Sequence, residues 1–343
     1  MKTIMIGVDL AKNVFQVHGI GKAGEVVIRR RLRRGQVLGF FAKLEPVVVG
    51  MEACGGAHYW ARRLKALGHE VRMMSPSYVK PYVKRNKTDG RDAEAICEAM
   101  QRPTMRFVAL KSEEQQAIMA LHRTRALMVG MRTKTANALR AAFAEFGIVA
   151  AQGIKGLRSL MAQLPAPSGI PQQADAALAM LARQWQALDS DIQTLERHIV
   201  QVMRATPAAH ALMPIPGVGP LTASAVVASV ADMRQFRSGR SFAAWLGLTP
   251  RQNNSGNTRR SGRISKQGQR DLRCLLVLGA LAQLRQQRRR GVKDHPWLAQ
   301  LLARRPVKVA AVALAAKTAR IIWAVLAKDE PYRALAACRL SHQ

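Results

Sequence analysis

The sequence predicts an α/β N-terminal domain followed by an α-helical remainder, and three observations carry that prediction. Short β-rich runs alternate with amphipathic helical stretches through the first hundred residues. Two long segments with apolar residues three and four apart follow. The last third joins an Ala-rich helix to a strongly basic, Gly-containing loop and further helix. The resulting division is an α/β domain over 1–108, a helical coiled-coil arm over 109–205 and a mainly helical C-terminal domain over 206–343.

In chain order, TIMIGVDLA (3–11) is a β-rich apolar run ending in polar residues. NVFQVHGI (13–20) and EVVIRRRL (25–32) read as two further strands joined by the turn GKAG. A helical stretch near Gly35–Leu44 leads to the short buried strand PVVVGME (46–52). A helix from His58 to Leu67, a strand EVRMMS (70–75) and the helical PSYVKPYVKR complete a β-β-β-α-β-α-β order. Such an order implies a mixed sheet flanked by helices, the layout of ribonuclease-H-like nucleases. Helical periodicity then runs from Ser112 to Phe146 and from Gln173 to Met203, interrupted by LPAPSGIP (164–171). In the second stretch Leu178, Leu181, Trp185, Leu188, Ile192, Leu195 and Ile199 form the seam of a helical hairpin or coiled coil.

Lys and Arg number 54 against 21 Asp and Glu, a formal net charge of +33. Self-repulsion on that scale disfavours compaction unless a polyanion relieves it, so nucleic acid is the expected partner. No signal-peptide pattern is read at the N-terminus and no apolar run near the ~20 residues that span a bilayer, which places the chain in the cytoplasm with the nucleoid. Cys54, Cys97, Cys274 and Cys338 form no C-x-x-C pair, which argues against a zinc ribbon or a disulfide framework; Cys54 is expected to be a small buried hydrophobe.

Against this basic background, the placement of acids is informative. Asp9 closes the first strand and Glu52 closes VVVGME, so both can reach the carboxyl edge of the sheet, where α/β proteins assemble sites. Asp89 and Asp92 in KTDGRDA lie three apart on one helical face. Helix capping explains that pair equally well, with Thr88 or Asp89 as the cap. Convergence of all four carboxylates costs about 4 kcal/mol per pair at ~4 Å and an effective dielectric of ~20, so a cluster needs divalent cations. Oxygen ligands select Mg²⁺ or Mn²⁺, and two such ions can activate an attacking oxygen and stabilise a leaving one at a phosphodiester.

Two motifs lie in the last third. LMPIPGVGPLTASAVVAS (212–229) has the pattern of a helix-hairpin-helix in which Gly217 and Gly219 permit a tight turn against a phosphate backbone; an ordinary turn between core helices is the alternative. Between Arg251 and Arg290 stand eleven Lys or Arg and one acid, Asp271. Within this segment Arg251, Arg259, Arg260, Arg263, Lys266 and Arg270 are candidate nucleic-acid contacts. Ser255 sits in a polar loop among them. Guanidinium groups can lower a serine's pKa and balance the charge of a phosphoryl transition state, although a Ser-Gly step beside arginines also serves as a phosphate-binding loop. Ser261 and Ser265 are rivals for the nucleophile by composition.

The ordered set Asp9, Glu52, Asp89, Asp92, the Ile-Pro-Gly-Val-Gly hairpin and the block GLTPRQNNSG…SKQGQRDLR resembles the DEDD insertion-sequence transposases, the family numbered one hundred and ten among insertion sequences. The resemblance covers nearly the whole chain. It implies a RuvC-like N-terminal domain whose four acids bind Mg²⁺, a coiled-coil arm and a C-terminal transposase domain with an essential serine, which falls on Ser255. It further implies recombination of donor and target DNA guided by a bridge RNA, in a homo-oligomer between dimer and tetramer where one subunit's serine completes another's acidic site. The acids alone fit a metal-dependent nuclease or junction resolvase using water; charge and hairpin alone fit a non-enzymatic nucleic-acid scaffold. The basic runs, including RRRLRR (29–34) and Arg285–Arg290, are expected to bind RNA and DNA backbones with steep salt dependence.

Overall fold

A computed structural model of the chain describes residues 4–84, 89–165, 170–255, 258–290 and 296–333, with the side chains of Asp89, Asn254, Ser255, Thr258, Arg259, Ser261 and Arg290 also outside the description. The chain divides into two compact units, Met1–Ser112 and Glu113–Gln343. The boundary expected at 205 falls within the second.

The first unit is a mixed six-stranded sheet in the order β3-β2-β1-β4-β5-β6. Its strands are β1 (Met5–Asp9), β2 (Val14–Ile20), β3 (Val26–Arg33), β4 (Val48–Glu52), β5 (Glu70–Met74) and β6 (Phe107–Val108). The meander β1-β2-β3 is antiparallel, β4 and β5 run parallel to β1, and β6 closes the far edge antiparallel to β5. The two-residue β6 carries no period-2 signal and was not legible from sequence.

Alternation along the strands separates two apolar layers. Ile6, Val8, Phe15, Val17, Val49 and Met51 pack with α1 (Val37–Phe41) and α2 (Ala57–Ala66) on one face. On the other, Met5, Val48, Ile20 and Met74 meet α4 (Asp89–Ala99) through Ala95, Ile96, Cys97 and Ala99, beside α3 (Pro76–Val79). Two glycines set how closely α4 approaches. Gly7 and Gly50 are register partners on β1 and β4. A Cβ at Gly7 would strike the Ala93 carbonyl and come within 2.7 Å of the Cys97 nitrogen, and one at Gly50 would lie 2.6 Å from the Met100 sulfur.

In the second unit α5 (Glu113–Ala144) and α7 (Gln172–Ala205) lie antiparallel, with α6 (Ile154–Met161) between them in sequence. Arg125 bonds Glu196 at 2.8 Å and Arg132 pairs with Asp189, so the two partners move in opposite directions along the helices. Of the expected seam, Leu178, Trp185, Leu188, Ile192 and Ile199 are buried, while Leu181 and Leu195 are half-buried. A separate core forms from α9 (Pro220–Ser229), α10 (Gly239–Trp245), α11 (Arg270–Arg290) and α13 (Val307–Lys328), with the short α8 (Pro207–His210) and α12 (Pro296–Arg304) at its margins.

α13 corrects the reading that no apolar stretch approaches bilayer length, because its 22 residues have a window of mean hydropathy 1.8. Ala310, Ala311, Leu314, Ala315, Ala319, Ile322 and Val325 are buried in the C-terminal core at three- and four-residue spacing. Its length and apolar content are therefore those of a packed core helix.

Candidate active site and nucleic-acid interface

The parallel pairing of β1 and β4 brings two of the four acids together. Val8 is the register partner of Met51, so Asp9 and Glu52 are the next residues on neighbouring strands. Met5 and Val48 face α4, and the period of two puts Asp9 and Glu52 on that same face. Both carboxylates act on one reporter: the Cys54 thiol, though its residue is exposed, is raised above its ordinary pKa by partial desolvation from neighbouring atoms first, then by Glu52 and by Asp9. Cys54 itself is exposed, not the buried hydrophobe expected, because the chain turns sharply after β4 with the Cys54 N–H donating to the Glu52 carbonyl at 2.9 Å. Burial does govern Cys97, whose thiol is pushed up to about 11.

Asp92 and the backbone of Asp89 lie at the start of α4, the helix packed on this acidic face. Asp92 is the neighbour of Ala93, whose carbonyl abuts Gly7 two residues before Asp9. Paired carboxylate oxygens suit a hard divalent cation in chemistry. Among the described residues no group of three or more His, Cys, Asp or Glu side chains is close enough to hold a metal, and the Asp89 side chain lies outside the description. The glycines that seat α4 were missed by the sequence reading. Their signal is a shared spacing: each acid follows its glycine by two, in Gly7-Val8-Asp9 and Gly50-Met51-Glu52.

Ser255 belongs to the second unit. It ends β7 (Pro250–Ser255), which pairs antiparallel with β8 (Thr258–Ile264), and Ser255 is the register partner of Thr258. The expected loop is thus a β-hairpin with Ser255 beside its tip. Arg251, Arg260 and Arg263 are exposed on its strands, and Lys266 and Arg270 are exposed beyond it. Arg251 donates to the Ser265 carbonyl at 3.3 Å, which fixes that rival serine's backbone at the hairpin base. The side chains of Arg259 and Ser261 lie outside the described residues. The base is anchored by Arg273, which donates at 2.8 Å to the carbonyls of both Leu246 and Gln267.

At the Ile-Pro-Gly-Val-Gly motif, Gly217 adopts a φ of +80°, a left-handed turn. Its close approach is to the protein's own α11: a Cβ there would lie 2.9 Å from the Gly279 carbonyl. Gly219 is the N-cap of α9, with nothing beyond its own chain neighbours within 4 Å of the place a Cβ would occupy. The two glycines therefore differ, one set by packing and one open.

Residues 6–148 match the DEDD transposase family, and residues 209–294 match the family described as "Transposase IS116/IS110/IS902 family". The chain is 48% identical over 338 residues to a probable family 20 transposase of Pseudomonas aeruginosa, covering 97% of this chain and 99% of that protein. It is 42% identical to the transposase for insertion sequence element IS1111A of Coxiella burnetii, covering 97% of this chain and 92% of that one. A transposase for element IS1328 of Yersinia enterocolitica is 39% identical, over 94% of this chain and 96% of its own length. Joined to the RuvC-like mixed sheet and its acidic edge, these likenesses place the chain in the IS110-type DEDD transposase family, as an enzyme of DNA transposition.

Proposed function

We propose that this transposase cuts and rejoins DNA with Asp9, Glu52, Asp89 and Asp92 holding Mg²⁺, or Mn²⁺ in its place, and with Ser255 as the nucleophile. The observation that carries the proposal is the adjacency of Asp9 and Glu52 on one sheet face, under the helix that bears the other two acids. Divalent-metal use is general to the family; the choice of magnesium follows from hard carboxylate donors. A bound cation would supply charge neutralisation at the phosphate oxygens.

In the proposed step the Ser255 oxygen bonds to phosphorus as a phosphorus–oxygen ester bond of the DNA breaks. The serine proton goes to solvent base and the freed deoxyribose oxygen takes one up. The reversed attack by a sugar hydroxyl rejoins the strand and releases the serine. Arg251, Arg260 and Arg263 on the hairpin offset the added negative charge of the five-coordinate transition state. Guidance by a bridge RNA, a homo-oligomer in which one subunit's serine serves another's acids, a self-associating coiled-coil arm of α5 and α7, and a helix-hairpin-helix contact at Gly219 with a phosphate belong to the same proposal, and rest on the family likeness and the basic surface.

A DNA substrate incubated with the protein and Mg²⁺ is expected to yield a covalent protein–DNA adduct that Ser255→Ala abolishes. An adduct that survives this change removes Ser255 from the reaction. Free 5′-phosphate ends with no attached protein would establish the water-dependent nuclease instead.

A further inference from the structure

The basic run after the first hairpin divides between the two faces of the sheet. On β3, Arg29 is the register partner of His18, Arg31 of Gln16 and Arg33 of Val14, and Gln16 is in turn the partner of Asp9 on β1. Alternation therefore puts Arg29, Arg31 and Arg33 on the α4 face with Asp9, while Arg30 and Leu32 turn to the other. Leu32 packs in the α1 and α2 layer, which fixes that parity independently. All three arginines are exposed, on a strand that forms the sheet's edge.

β3 ends at the same edge of the sheet as β1, so one line across the strands reads Glu52, Asp9, Gln16, Arg31. Two strand spacings put Arg31 about 10 Å from Asp9, and alternate residues along β3 are about 6.7 Å apart. That interval is comparable with the separation of successive phosphates along an extended nucleic-acid strand. Charged residues on an edge strand also discourage edge-to-edge pairing, but that purpose is served by either face and does not require all three on the acidic one.

We infer that Arg29, Arg31 and Arg33 form a phosphate track that holds the DNA backbone flanking the scissile position and leads it to Asp9 and Glu52. The inference rests on the acidic edge being the cleavage site. The track binds backbone and reads no base.

The test compares two charge-matched triple variants of the full chain: R29Q/R31Q/R33Q on the track, and K43Q/R63Q/K65Q on the exposed surface of the opposite helical layer. Binding of a fluorescein-labelled DNA oligonucleotide is followed by anisotropy across a salt series, and Mn²⁺ binding by electron paramagnetic resonance. The track variant should lose at least tenfold in affinity at low salt and flatten the log–log salt slope by about 2–3, at 0.7–0.9 per contact. The opposite-layer variant should change the slope by less than about 1. Equal losses in both variants, no loss in either, or a loss seen with an RNA oligonucleotide and not with DNA would each overturn the track. Failure of the acidic site is separate: it appears as Asp9→Asn protein that still cleaves, whatever the anisotropy series gives.

Discussion

Gly7 is small because α4 needs its space. Gly7→Ala should force the helix off β1 and cost about 1–3 kcal/mol, the range for overpacking. Gly39→Ala, in a helix with nothing near the added carbon, should be neutral or gain up to about 1 kcal/mol, and chemical denaturation of the two variants checks the contrast. His122 offers a pH readout in the second unit. Its ring lies 3.0 Å from the buried Ser224 hydroxyl, and burial first, then Arg125, depress its pKa to about 4, with Asp271 opposing. Folding is therefore weakened wherever the unfolded chain binds a proton that the folded one refuses. The His122 contribution to stability should fall as pH drops from about 6.5 to about 4, by at most about 3 kcal/mol. His122→Gln should flatten that part of the profile in urea unfolding followed by circular dichroism. At this scale the strand-end placement of Asp9 and Glu52 was legible, since each closes a β-rich run, whereas Asp89 and Asp92 open a helix. The role of His122 was not, because its partners come from helices about a hundred and a hundred and fifty positions away.

Among elements, the α5–α7 pair depends on one large side chain. Trp185 is buried with Leu139, Phe143 and Leu157, so Trp185→Ala should cost about 3–5 kcal/mol and lower the denaturation midpoint of the second unit. Arg132→Ala leaves Asp189 half-buried without that partner, yet its cost should be smaller, since the carboxylate keeps access to water. Helices and long strands were legible here because their periodicity repeats over many residues. The β7–β8 hairpin read instead as a loop: NNSGNTRRSG is polar on both strand faces, so the alternation that marks a half-buried strand is missing. β6 is too short to show any period, and it exists because β5 offers an unpaired edge.

At the scale of the molecule, a net charge of +33 should make DNA binding steeply dependent on salt. For six to ten phosphate contacts, affinity for DNA should fall by about 10³–10⁵ between 50 and 200 mM salt, measured by anisotropy titration. A flat salt series would detach the charge from DNA binding.

Composition, the closing acids of two strands and the motif order were enough to establish a basic, nucleic-acid-directed α/β and α-helical protein, since charge and local periodicity are written residue by residue. Tertiary structure decided which residues share a face. The parallel register of β1 with β4 put Asp9 beside Glu52, the antiparallel register of β2 with β3 sorted the arginines, and packing bound Gly217 to Gly279. Pairing between distant segments depends on which strands become neighbours, and hydrogen-bond register is a property of two segments that neither carries alone.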